Sequence, residues 1–84
     1  MLRIRYFASV REAMGREGEG MELPADVATV ADLIRHLRAT HSDFDRLHAN
    51  GETVLAAVNQ TVAGPGQALG EADEIAFFPP MSGG

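Results

Sequence analysis

The sequence predicts an α+β fold in which a mixed sheet packs on one main helix, and three stretches carry that prediction. Residues 2–8 alternate in the manner of a strand, with Leu2, Ile4 and Tyr6 on one face and Arg3, Arg5 and Phe7 on the other. Val30, Leu33, Ile34 and Leu37 fall at the i, i+3, i+4, i+7 spacing of a helix that buries a single stripe. Glu74 to Phe78 reads as a last strand, closed by Pro79 and Pro80 and able to pair with the first as a central neighbour.

The remaining elements follow in order. After the first strand, Ser9 and Glu12 have the spacing of a capping box, Val10, Ala13 and Met14 form an apolar side, and Gly15 suits a helix C-terminus, so a short helix is expected. Glu19 to Leu23 is a second strand that stops at Pro24, which cannot donate to a ladder. Thr29 with Asp32 is another capping pair and opens the main helix, which ends near Thr40. Residues 41–52 are polar, with Phe44 and Leu47 as anchors, room for a short helical turn, and Asn50-Gly51 as a turn signal. Thr53 to Val58 reads as a buried central strand, Asn59-Gln60 as a tight turn, Thr61 to Ala63 as a brief strand and Gly64-Pro65-Gly66 as a loop. No repeat, linker or low-complexity tract interrupts the chain, so residues 1–84 are expected to form a single domain, with 79–84 as an extended tail.

Composition narrows the function. A chain of 84 residues hides only about two-thirds of the surface its unfolded form exposes, so function belongs at the surface or a terminus rather than in a deep enclosed site. Its net charge of −5 disfavours nucleic acid or an anionic membrane as the main partner, since both need a surplus of Lys and Arg. Arg3, Arg5, Arg11 and Arg16 cluster early and read as a solvated face. No apolar run follows the first charges and none approaches the ~20 residues of a membrane span, which points to the cytoplasm. With no cysteine, thiol catalysis and thiolate metal sites are excluded, and any sulfur handled here must be attached to something other than a side chain. Lysine is absent too, so an activated C-terminus would meet no side-chain amine on its own chain, although a compositional preference for Arg explains this more readily.

The sharpest candidate is the terminal pair Gly83-Gly84. At ordinary glycine usage two glycines close a chain by chance about once in two hundred cases, so chance is a weak explanation, and a frayed end is the competing one. The setting favours function: a strand, then Pro79-Pro80, whose missing N–H groups end the ladder and start an extended segment. Two residues without side chains can enter a narrow channel and present the Gly84 carboxylate to a second active site. A carboxylate is a poor electrophile and needs activation, most simply as an acyl-adenylate. Gly64-Pro65-Gly66 matches no phosphate-cradling pattern, so the activation must come from another protein.

Other candidates are weaker. Alternation sets Phe7 and Phe78 on the sheet face opposite Ile4, Tyr6, Ile75 and Phe77, where exposed aromatics suggest a partner interface unless a loop covers them. His36, His41 and His48, with Asp43 and Asp45, fit no zinc spacing and read as solvated surface, so no metal is expected. Asp73 and Glu74 point to opposite faces of a strand start, which argues against joint acid–base work.

Together, Tyr6-Phe7-Ala8 with Val10-Arg11-Glu12, Ala57-Val58-Asn59 and the run from Asp73 to Gly84 resemble the MoaD/ThiS sulfur-carrier family, nearest to the small subunits of molybdopterin synthase. The resemblance runs end to end and is most specific in the last twelve residues. It implies a β-grasp (ubiquitin-like) fold and a role as sulfur donor within a heterotetrameric synthase whose active site lies on the large subunit. It further implies that a ubiquitin-activating-type enzyme adenylates Gly84 with ATP and a sulfurtransferase converts it to a thiocarboxylate. The sulfur then passes to cyclic pyranopterin monophosphate during molybdenum cofactor biosynthesis, with no cofactor bound by the carrier itself. Phe7, Val62 and Phe78 match the family's hydrophobic patch for the large subunit, and Pro79, Pro80, Met81, Ser82 and Gly83 belong to the segment that inserts with Gly84.

Two alternatives stay open: a carrier serving thiamine thiazole or another acceptor, and a ubiquitin-like modifier amide-linked to target lysines. Ala72 departs from the family, which usually has glycine before Asp73-Glu74; a turn requiring positive φ would be strained there.

Overall fold

The computed structural model describes residues 1–80. Five strands, β1 (Leu2–Tyr6), β2 (Gly18–Met21), β3 (Leu55–Val58), β4 (Thr61–Ala63) and β5 (Glu74–Phe78), form one sheet in the order β2-β1-β5-β3-β4. β1 and β5 run parallel and the other neighbours antiparallel, the mixed β-grasp arrangement. The expected pairing of first and last strands holds, with Ile4 beside Ile75 and Tyr6 beside Phe77. The centre belongs to β5, flanked on both sides, while β3 sits one place out and is shorter than its β-branched flank suggested.

Alternation on the strands sends one set of side chains inward. Leu2, Ile4, Tyr6, Ala56, Val58, Ile75 and Phe77 are buried against Val10, Val30, Leu33, Leu37, Phe44 and Leu47 of the helices. The Phe77 ring meets Phe44 edge-on at 5.2 Å and stacks with Tyr6 at 6.4 Å, a geometry that adds to the area these rings bury.

The main helix α2 (Val30–Thr40) opens with the full predicted capping box: the Asp32 N–H donates to the Thr29 hydroxyl, and the Asp32 carboxylate accepts from the Thr29 N–H. The 64–69 loop meets two further N–H groups, since Val30 donates to the Gln67 carbonyl and Ala31 to that of Pro65. In α1 (Ala8–Met14) the Ser9–Glu12 box does not form. The chain turns two residues earlier, at Phe7, with Ala8 in the left-handed region at φ 51°, so Ser9 is already inside the helix and cannot cap it. Gly15 ends α1 at φ 69°, as its position suggested.

The segment read as at most one turn is a full helix, α3 (Ser42–Ala49), with Phe44 and Leu47 inward. Asp43 and Asp45 lie in its first turn and Arg46 and His48 in its last, a charge order that suits the helix dipole. Asn59 and Gln60 both have positive φ, 49° and 71°, as a two-residue hairpin demands. Ala72 is not among the positive-φ residues, so alanine is unstrained there.

Candidate functional site

The sheet face turned away from the helices gathers side chains from four strands. β3 and β5 align Leu55 with Phe78 and Ala57 with Ala76, β4 adds Val62 opposite Ala57, and β1 adds Arg5 beside Ala76. Phe7, one step past the end of β1, donates its N–H to the Phe77 carbonyl at 3.0 Å and so sits beside Phe78. Phe7 is 40% exposed and Val62 70%, and Phe78 is half-buried. No described loop closes over Phe7 or Val62, which answers the competing explanation raised for Phe7. Alanines at 57 and 76 keep the middle low between Val62 on one side and the two phenylalanines on the other.

This face adjoins the point where the chain leaves the sheet. The β5 ladder ends at Phe78, level with the end of β1 and the start of β3, and Pro79 and Pro80 follow without N–H groups to extend it. Met81, Ser82, Gly83 and Gly84, which carry the chemical part of the expectation, lie outside the described residues.

The polar groups nearby are structural. Asp73 accepts from the Gly70 N–H at 2.7 Å and from the Asn59 amide at 3.0 Å, and these bonds hold its carboxyl below the usual carboxylate range, the Gly70 N–H contributing most. Asn59 in turn accepts from the Glu74 N–H, so the β3–β4 turn is tied to the start of β5. Asp73 and Glu74 therefore form a junction, as read from their spacing.

The histidines are less solvated than expected. His41 is only 20% exposed and lies 3.0 Å from Glu19, whose carboxylate also accepts from the Tyr6 hydroxyl at 2.7 Å. The His48 ring packs on Phe44 at 4.9 Å. Among the described residues no three His, Asp or Glu side chains gather as a metal site.

Sequence reasoning found Phe7 and Phe78 by alternation and Val62 by resemblance, but it overlooked Leu55, Ala57, Ala76 and Arg5. The signal was present: alternation through Thr53–Val58 puts Leu55 and Ala57 on one face, and Arg5 shares the face of Phe7.

Known proteins match this chain over its whole length. It is 42% identical over 84 residues to the molybdopterin synthase sulfur carrier subunit of Escherichia coli, covering 100% of both chains. It is 34% identical to small archaeal modifier protein 3 of Haloferax volcanii, covering 99% of this chain and 98% of that one. The crystal structure of SAMP1 from Haloferax volcanii superposes with a TM-score of 0.76 at 27% identity, over 99% of this chain and 98% of that one. The ThiS family model matches residues 4–84, a span that takes in the latter part of the first strand, the apolar face and the terminal glycines alike, and on that match the chain belongs to the ThiS family.

Proposed function

We propose that this chain is the sulfur carrier subunit of a molybdopterin synthase, with the Gly84 carboxylate as its working group and the Phe7–Val62–Phe78 face as the surface that docks on the large subunit. The observation that carries the reading is positional: an uncovered apolar face lies beside the place where Pro79 and Pro80 end the β5 ladder, so a protein seated on that face is placed to receive the terminal residues. The full-length identity to the Escherichia coli subunit supports the same destination.

The chemistry follows from what the chain lacks. Without cysteine or a phosphate-cradling loop it can neither hold sulfur on a side chain nor activate its own carboxylate. A ubiquitin-activating-type enzyme adenylates Gly84 with ATP, releasing pyrophosphate, and sulfide-level sulfur delivered by a sulfurtransferase then attacks the acyl carbon and displaces AMP. The resulting thiocarboxylate donates sulfur to cyclic pyranopterin monophosphate in the large subunit. The carrier contributes position and a reactive terminus, and Gly83 with Gly84 leaves no side chain to obstruct a narrow channel.

Incubation with ATP, the activating enzyme and a sulfur donor, followed by intact-mass measurement and fragmentation, tests this. Replacement of one oxygen by sulfur at Gly84 is expected; an unmodified terminus with verified active partners overturns the reading.

A second reading has its own support, since the 34% identical Haloferax volcanii relative is a small archaeal modifier protein. In that reading Gly84 becomes amide-linked to lysines of other proteins. Covalent conjugates in cell extracts identify it, whereas loss of molybdoenzyme activity on deletion identifies the carrier.

A further inference from the structure

Five of the seven arginines hold carboxylates: Arg11 with Glu17, Arg16 with Glu19, Arg35 with Asp32, Arg38 with Asp45 and Arg46 with Asp43. Arg3 and Arg5 make no ion pair among the described residues, although the chain has twelve acidic side chains to draw on. Both are exposed, and both lie on the same sheet face as Phe7 and Phe78. The two uncommitted cations of an acidic protein thus sit together on its uncovered face.

Their surroundings keep them open. Arg3 is opposite Gly20 and Arg5 opposite Gly18 on β2, so the neighbouring strand offers no side chain to cover either. Packing enforces the glycine at 18, where a Cβ would strike the Ile4 carbonyl; at Gly20 a Cβ would meet only the end of the exposed Met1 side chain, which can move aside. An open groove of about 550 Å³ results, with Arg3, Arg5, Gly18 and Gly20 in its lining and Glu17, Glu19 and Glu74 also at its walls. None of these acids pairs with either arginine: Glu17 is held by Arg11 at 3.0 Å, Glu19 is engaged by Arg16, His41 and the Tyr6 hydroxyl, and Glu74, beside Arg3 in the β1–β5 register, makes no ion pair with it. The Arg5 guanidinium lies 5.3 Å from the centre of the Phe7 ring, which draws it towards the apolar face and leaves its in-plane N–H donors free for a carboxylate.

We propose that the protein that covers the Phe7–Val62–Phe78 face also seats acidic side chains on Arg3 and Arg5 in this groove. The apolar patch supplies affinity without direction, and two adjacent cations at one edge fix the rotation at which the carrier docks, and so where its C-terminal residues enter. The inference rests on the reading of that face as the docking surface for the synthase large subunit, and deepens it by stating the partner's charge.

The test is titration of the large subunit from the same organism with wild-type protein, Arg3→Gln/Arg5→Gln, Arg3→Glu/Arg5→Glu and Phe78→Asp, after circular dichroism has shown each variant folded. At about 50 mM salt the neutral pair should bind about tenfold more weakly and the reversed pair more weakly still, chiefly through slower association, and at about 500 mM the differences should shrink. Phe78→Asp should lose affinity at both salt concentrations. If both arginine variants bind like wild type at low salt while Phe78→Asp does not, the charge proposal falls and the docking face stands. If the wild-type protein does not bind, or Phe78→Asp also binds normally, the docking face falls and the proposal with it.

Discussion

Tyr6 shows how much a single side chain can organise. It is 1% exposed and its hydroxyl donates to Glu19 across 13 residues of sequence. Burial, and after it the bond to Glu19, pushes the phenol well above its usual range. The neutral phenol is the form the folded state prefers, so its contribution is complete below the unfolded value of about 10 and is lost as pH rises beyond it. Urea unfolding should therefore show stability falling above about pH 10 in the wild-type protein and less steeply in Tyr6→Phe, which at neutral pH should be destabilised by about 1 kcal/mol. Equal slopes in the two proteins would exclude Tyr6 as the source. Alternation alone placed Tyr6 in the core, but its partner was not legible. Glu19 comes to it only through the antiparallel β1–β2 register, which pairs Ile4 with Glu19 and cannot be read from either strand separately.

Among the elements, α2 was the most legible because its stripe and its cap agree. Thr29→Ala removes the hydroxyl that accepts from Asp32 and should cost about 1 kcal/mol, read as a lower urea midpoint with an unchanged slope. Asp32 adds an acid-side dependence. Its carboxylate is held below the usual range, first by the Ala28 N–H, so its contribution is present above about pH 4 and disappears as the pH falls through its lower folded value. The helix α3 was under-read for a physical reason. Only Phe44 and Leu47 mark its inward side, too few to establish a 3.6-residue period, and its other support comes from the fold: Arg38 of α2 reaches Asp45 at 2.7 Å. The misplaced cap of α1 has a similar origin, because Phe7 is held to β5 through its N–H and the turn must begin there whatever Ser9 could offer.

For the whole molecule, strand pattern and strand number were legible, whereas the position of β3 was not, since an apolar run reads alike in the middle of a sheet and one place from its edge. The apolar face was half legible: aromatic residues announced it, while the alanines and Leu55 that complete it emerge only once β3, β4 and β5 are aligned. Separation of the body from the terminus leads to a prediction at this scale. Deleting Gly84 should abolish sulfur transfer and leave the thermal midpoint unchanged, because among the described residues no core residue lies beyond Phe77. A truncated protein that still transfers sulfur would refute a terminal working group. The central place of β5 also has a mechanical consequence. A pull on the chain end loads β5 along its own axis. The backbone bonds to β1 and β3 lie across that axis and share the force in shear, so the domain resists as one body where an edge strand would peel away bond by bond.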